Sequence, residues 1–303
     1  MLKNRRTRWI VYSIMAVSWT LCVDALPQYY ATVSDTQHYE WLINLIGSIH
    51  KTNIPNLAEI AVYDIGLTVQ ERSKLARMKK VVVYPIEKVN PDLCTQFQSR
   101  TYGKWVRGWY AWKPVAIKQA LEKFPYILYL DAGSSVVKSL DHLFEYIKER
   151  GYFLISNNHT LRDWTTRFVI DQFQLNSSDK AWILDALCMT AGVQGLSQVM
   201  MDSYIKPLYE LAKDMRYFQD DGTARNGFGQ ARHDQCIFTI QARLLNLTLF
   251  DELRYKGGII PLMINGRHVP FYTTWDKSWQ DGKTELVIQS KGRLHYDQYI
   301  IYI

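Results

Sequence analysis

The chain has 303 residues, 48% hydrophobic, 14% aromatic and 21% charged, with only 16 Gly and 9 Pro. That excludes a disordered, collagen-like or low-complexity protein, and the length can bury a substantial core in one large domain. Of the formal charge of +7, +3 falls in the first 25 residues, and the mildly basic remainder gives no footing for a nucleic-acid partner.

Those leading charges are Lys3, Arg5, Arg6 and Arg8 against Asp24, and a mostly apolar run follows from Trp9 to Val23. This is the layout of a secretory signal peptide over residues 1–25. Val23 and Ala25 take the −3 and −1 positions for cleavage after Ala25, and Leu26-Pro27 stops a helix from continuing. The second reading is an uncleaved signal anchor, which would fix the chain to a membrane through residues 9–23 in type II orientation, although a span needs roughly 20 residues. Both readings send residues 26–303 into the secretory pathway, to the Golgi lumen or outside the cell. The sequons at Asn158, Asn176 and Asn246 agree with that address. With Cys22 in the leader, Cys94, Cys188 and Cys236 permit at most one internal disulfide, and the sequence does not choose the pair. The spacings C-x-x-C, H-E-x-x-H, G-x-S-x-G and the P-loop do not occur, which removes the common zinc, serine-hydrolase and nucleoside-triphosphatase readings.

From Tyr29 onward strands and helices alternate. A strand is predicted near Tyr30–Val33, a helix over Tyr39–Lys51, a strand over Glu59–Asp64, a helix over Val69–Met78 and a strand over Val81–Pro85. A polar loop around Asn90–Gly103 leads to a helix opened by Lys113-Pro114 and ending near Phe124, then to the apolar strand Tyr126–Leu130. A helix over Leu140–Arg150, a strand over Tyr152–Ser156 and a long loop come next. Helices are then expected around Asp179–Leu187, Leu196–Asp214 and Asp234–Leu244, before β-like runs from about Tyr255. Repeated βα units imply an α/β fold with a mostly parallel sheet and its ligand site at the C-terminal ends of the strands.

The most apolar strand stops at Asp131-Ala132-Gly133-Ser134-Ser135, a carboxylate in a tight turn of small residues. Such a place suits a divalent metal or a diphosphate-ribose contact, the other use of the carboxylate being to cap the turn. Arg107, Tyr110, Trp112 and Lys113 interleave cations with aromatics, which fits phosphate plus a base or sugar face, or else a core patch with solvated charges. His233-Asp234-Gln235 opens a helix and offers a base, an acid and an amide to one ligand, or a plain helix cap. His268 and His295 are candidates for a further metal ligand, against a structural or exposed role.

In order, Ala61–Leu67, Trp112-Lys113-Pro114, Tyr129-Leu130-Asp131-Ala132-Gly133, Ala191-Gly192-Val193-Gln194-Gly195 and His233-Asp234-Gln235 resemble the landmarks of nucleotide-diphospho-sugar transferases of the GT-A fold. The nearest flavour is the family 8-like group and its animal relatives. The resemblance spans about residues 30–250. It implies a single large GT-A (Rossmann-like) domain over 26–303, its sheet flanked by helices. It also implies a hexosyltransferase-like enzyme that moves sugar from a nucleotide-diphosphate donor to a glycan, protein or lipid acceptor. Asp131 would then hold Mn²⁺ or Mg²⁺ and the diphosphate. Lys113, Trp112, Arg107, Tyr110, Gly133, Gly192 and Gln235 would line the nucleotide-sugar site, with Asp131, Asp234 and His233 as the catalytic candidates. Gly133 departs from the pattern, because the second carboxylate of the family's Asp-x-Asp motif belongs there. That departure opens two alternatives: a metal-independent enzyme in which Lys113 or Arg107 neutralises the departing diphosphate, or an inactive luminal or secreted carbohydrate-binding protein on the same fold.

Overall fold

The computed structural model describes residues 26–98, 105–225 and 231–251, and, in the C-terminal part, 263–264, 267–268, 272–274, 287–289, 291–292 and 294–303. The leader 1–25, with its cleavage position and its apolar run, lies outside the described residues, as does most of the stretch from Tyr255. No helix among the described residues is long and apolar enough to cross a membrane.

The chain opens with β1 (Gln28–Ser34), α1 (Tyr39–Asn53), β2 (Leu57–Asp64), α2 (Val69–Leu75) and β3 (Val81–Pro85), the alternation expected from the sequence. A short hairpin, β4 (Gln96–Gln98) and β5 (Trp105–Arg107), precedes α3 (Trp112–Lys123) and β6 (Tyr126–Leu130). Then come β7 (Ser134–Val136), α4 (Asp141–Arg150), β8 (Tyr152–Thr160), and the short helices α5 (Leu161–Trp164), α6 (Arg167–Gln172) and α7 (Ala181–Leu184). The run ends with β9 (Leu187–Ser197), α8 (Lys206–Leu211), α9 (His233–Leu244) and β10 (Phe250–Asp251).

Local chemistry sets several of these boundaries. The Thr68 side chain accepts from the Glu71 N–H while the Glu71 carboxylate accepts from the Thr68 N–H, a capping box that starts α2. Gly151 ends α4 in the left-handed region at φ 86°, where a side chain would be strained.

Among the described residues, seven strands form one sheet in the order β3-β2-β1-β6-β9-β8-β10. The pairs β3-β2, β2-β1, β1-β6 and β8-β10 are parallel, and β9 alone runs against both its neighbours. Successive side chains of a strand point to opposite faces, so Tyr30, Leu128 and Leu130 join Leu42, Ile46 and Phe144 of α1 and α4, whereas Ala31, Ile127 and Tyr129 join Val115, Ile237 and Ile240 of α3 and α9. The tail returns to α1: the Tyr296 N–H donates to Asn44 Oδ1 at 2.7 Å, and Val287–Gln289 pairs antiparallel with β7.

Two sequence expectations are corrected. β9 was not foreseen, and it takes Leu196 out of the helix expected there while the helix expected over Asp179–Leu187 shrinks to α7. All of β9 after Leu187 is buried, on both faces, so it carries no polar alternation, and Ala191, Gly192 and Gly195 dilute its strand character. The remainder of Leu196–Asp214 is a 3₁₀ turn, a π turn over Met201–Ile205 and α8. Pro207, which cannot donate to the preceding turn, sits at the start of α8.

Candidate functional site

At the C-terminal end of β6, Tyr129 and Asp131 lie two residues apart and face the same way, so the Tyr129 hydroxyl donates to Asp131 Oδ1 at 2.8 Å. The Asp131 N–H is tied to the Gly192 carbonyl of β9 at 2.9 Å. A Cβ on Gly192 would stand 2.6 Å from Asp131 Oδ2, so only glycine lets the carboxylate settle over the strand.

Lys113 reaches this carboxylate from α3. Gly108, Trp109 and Tyr110 are all in the left-handed region, at φ 52°, 46° and 65°, and a Cβ on Gly108 would collide with the Leu93 carbonyl. This kink swings Tyr110 over the strand ends and starts α3 with Lys113 pointing inward. Lys113 is 2% exposed, and its Nζ lies 3.1 Å from Asp131 Oδ1 and 2.6 Å from Asp234 Oδ2. Burial would pull its pKa down, but the charges of the two aspartates outweigh that and hold the ammonium well above its usual range. For Asp234, at the start of α9, burial wins over the pull of Lys113 and leaves its carboxyl raised. The aromatic rings of Tyr110, Trp112 and Tyr129 surround the ammonium at 5.5–5.8 Å from their centroids.

His233 is 6% exposed and opens α9 at φ 40°. Its Nδ1–H donates to the Phe218 carbonyl at 2.8 Å, which leaves the lone pair on Nε2. Burial lowers its pKa, so the ring is neutral. Among the described residues Nε2 has no hydrogen-bond partner, and neither have Gln235 Oε1 and Arg232 Nε, all three buried. Buried polar atoms are normally paired, and these belong to residues lining one cleft. It measures about 310 Å³, and its walls are Tyr110, Lys113, Asp131, Trp164, Gly192 and the run Ala231–Gln235.

The structure thus brings Tyr110, Lys113, Asp131, Gly192, His233, Asp234 and Gln235 together around one cleft. Others fall elsewhere. Arg107 donates through Nε to Asp35 Oδ2 at 2.8 Å and through its guanidinium to the Cys94 carbonyl at 2.6 Å, bracing the end of β1. Trp112 is buried, its indole N–H spent on the Arg107 carbonyl. Gly133 faces Trp41 and Lys291, outside the cleft walls. His295 is exposed beside the tail turn Tyr296–Tyr299, and the side chain of His268 lies outside the described residues. Trp164 and Arg232, not singled out in the sequence, complete the wall. Arg232 stacks on Trp164 at 4.4 Å and bonds His159 Nε2 at 2.9 Å. Its place next to His233 was the available signal, whereas Trp164 comes from α5, far away in the sequence.

A hard divalent ion asks for about six oxygen ligands. The described residues offer one carboxylate at this turn, and its Oδ1 already holds Lys113 and Tyr129. No cluster of three His, Cys, Asp or Glu suited to a metal exists among the described residues. The donor set among the described residues does not fit Mn²⁺ or Mg²⁺.

The sheet, its single reversed strand and the cleft beyond the strand ends define the GT-A fold of nucleotide-sugar transferases. The chain is similar to core-mannan synthase A of Aspergillus fumigatus in its Mn/GDP form, with a TM-score of 0.50 and 12% identity over 71% of this chain and 69% of that one. Mouse xyloside xylosyltransferase 1 in its apo form aligns over 87% of this chain and 97% of that one, at 14% identity and a TM-score of 0.48. The galactosyltransferase LgtC with donor and acceptor sugar analogues aligns over 70% of each chain, at 13% identity and a TM-score of 0.46. No family model and no curated protein matches the sequence.

Proposed function

We propose that the protein is a glycosyltransferase of the secretory pathway that takes sugar from a nucleotide-diphosphate donor. The observation that carries the reading is the set of buried acceptors, His233 Nε2 and Gln235 Oε1, turned into a cleft that also holds the Asp131–Lys113–Asp234 cluster. Unpaired acceptors beside a charge cluster suit a ring rich in hydroxyl donors, which would satisfy each of them. In glycosyl transfer the anomeric carbon develops positive charge while the diphosphate leaves with negative charge. Asp131 and Asp234, clamped by Lys113, would present fixed charge to the sugar, and neutral His233 would accept a hydroxyl proton or hold it in place.

The secretory address rests on the leader layout and on the sequons. The Asn176 and Asn246 side chains are exposed and open to a glycan. Residues 26–303 are then the transferase domain and the acceptor a glycan, protein or lipid. Gly133 favours a second reading, an inactive luminal or secreted carbohydrate-binding protein.

Calorimetric titration of the purified protein with uridine and guanosine diphosphates, with and without Mn²⁺, separates these readings. Micromolar binding of either nucleotide supports the transferase. Binding without Mn²⁺ supports charge neutralisation by the protein's own cations, whereas binding that needs Mn²⁺ points to ligands beyond the described residues. Failure of both nucleotides, with retained glycan binding, supports the carbohydrate-binding protein.

A further inference from the structure

Cys188, near the start of β9, and Cys236, in the first turn of α9, meet in the wall behind the cleft. They are 0% and 3% exposed free thiols whose side chains are neighbours in the same core cluster. Both elements are pinned where they meet. The N–H of Met189, next to Cys188, donates to Thr239 Oγ1 at 2.8 Å, one turn along α9 from Cys236, and Cys236 Sγ donates to the Trp164 carbonyl at 3.2 Å. Cys94 lies apart, half-buried before β4, with its carbonyl on the Arg107 guanidinium.

We propose that Cys188 and Cys236 form the internal disulfide of this protein in an oxidising compartment, a cross-link between β9 and α9 directly behind the cleft. The thiolate of one cysteine attacks oxidised glutathione, giving a mixed disulfide and one molecule of glutathione. The other cysteine then displaces the second glutathione. One S–S bond forms, one is broken, and the protons of the two cysteine thiols end on the two glutathione thiols. Because both sulfurs are buried in the finished fold, exchange takes place while the core is still closing.

The cross-link would enclose the 47 residues between its ends. That loop contains α8 and Phe218, whose carbonyl sets the tautomer of His233. It joins the strand that carries Gly192 to the helix that carries Asp234 and Gln235, so two walls of the cleft become one covalent unit. Closing a loop of this length restricts the unfolded chain and raises stability. The proposal does not need the transferase activity but rests on the secretory address proposed above, which supplies the oxidising environment; beyond that it requires only that the two cysteines be neighbours.

The test uses the full chain secreted from eukaryotic cells, with free thiols blocked by an alkylating reagent in denaturant before digestion without reduction. Mass spectrometry is expected to find the peptides of Cys188 and Cys236 joined and Cys94 alkylated. Alkylation of both Cys188 and Cys236, or a bond that includes Cys94, overturns the proposal. Thermal unfolding gives a second reading. Reductant is expected to lower the wild-type midpoint by on the order of 5–10 °C and to leave a folded Cys188→Ala/Cys236→Ala variant unmoved. A wild-type midpoint insensitive to reductant overturns it as well.

Discussion

The Asp131 carboxylate rests on the bare backbone of Gly192, with Oδ2 2.6 Å from the point where a Cβ would begin. A methyl group there displaces the carboxylate and stretches its 3.1 Å contact with Lys113. Gly192→Ala is therefore expected to leave the far-ultraviolet spectrum and the urea midpoint close to wild type while weakening nucleotide-sugar or nucleotide binding by about tenfold, or ~1.4 kcal/mol. Calorimetry on the folded variant decides it, and unchanged affinity would separate Asp131 from ligand binding.

Lys113 is the counter-charge of two aspartates at once, so removing it leaves the buried Asp234 and the partly exposed Asp131 facing each other without a cation. Lys113→Met is expected to cost about 3–5 kcal/mol of stability at neutral pH, as for other broken buried ion pairs. The sign of its pH dependence follows from linkage. Without the ammonium, the folded-state pKa of Asp234, already raised by burial, loses the pull of Lys113 and rises further, so the variant regains stability as pH falls and that carboxyl takes up a proton. Urea melts of wild type and variant at neutral and mildly acidic pH test this, and a deficit that does not shrink toward acid would contradict the clamp. Lys113→Met/Asp234→Asn, which removes one of the stranded charges, should recover part of the loss.

How much of this was legible in the sequence follows from the kind of signal involved. β1, β3 and β6 announce themselves as apolar β-branched or aromatic runs, and the end of β6 places Asp131 on the cleft wall. Lys113 and Asp234, 121 positions apart, were found as separate motifs. Their 2.6 Å contact is a product of topology, because it needs β9 to run antiparallel between β6 and β8 and α9 to pack across it. β9 itself was hidden, since a strand buried on both faces and containing two glycines resembles neither a helix nor an alternating strand. Arg107 misled for a related reason: cations interleaved with aromatics look alike whether they face a ligand or, as here, brace a buried aspartate.

That brace makes its own prediction. Burial works against the ionised form of Asp35, yet hydrogen bonds and charge from His38 and Arg107 prevail and hold its pKa at about 2, below the ordinary 3.8. A depressed folded-state pKa contributes stability that is present above the unfolded value and is lost as pH falls from 3.8 toward 2. Asp35→Asn is expected to remove about 2 kcal/mol at neutral pH and to flatten the acid limb of the stability curve in that window. Denaturation as a function of pH measures both effects, and an unaltered acid limb in the variant would assign the acid sensitivity to other carboxylates.

His233 offers its lone pair to the cleft only while the ring is neutral. Its folded-state pKa lies below the ordinary 6.5, so ligand affinity is expected to stay level down to pH 6.5 and to decline at lower pH, as a proton on Nε2 removes the acceptor. Stability should fall over the same range, because the unfolded chain takes up that proton first. His233→Phe keeps a ring to pack against Trp109 and Tyr110, whose centroids lie 5.1 and 5.6 Å away, but deletes both nitrogens. It leaves the Phe218 carbonyl unpaired at a cost of about 1–3 kcal/mol and is expected to bind ligand about tenfold more weakly. His233→Gln, whose amide can still accept a hydrogen bond, should bind better than the Phe variant. Calorimetric titration of both variants across that pH range separates an acceptor in the site from a residue that merely packs, because only the acceptor ties the affinity loss to the missing nitrogen and the acid decline to wild type.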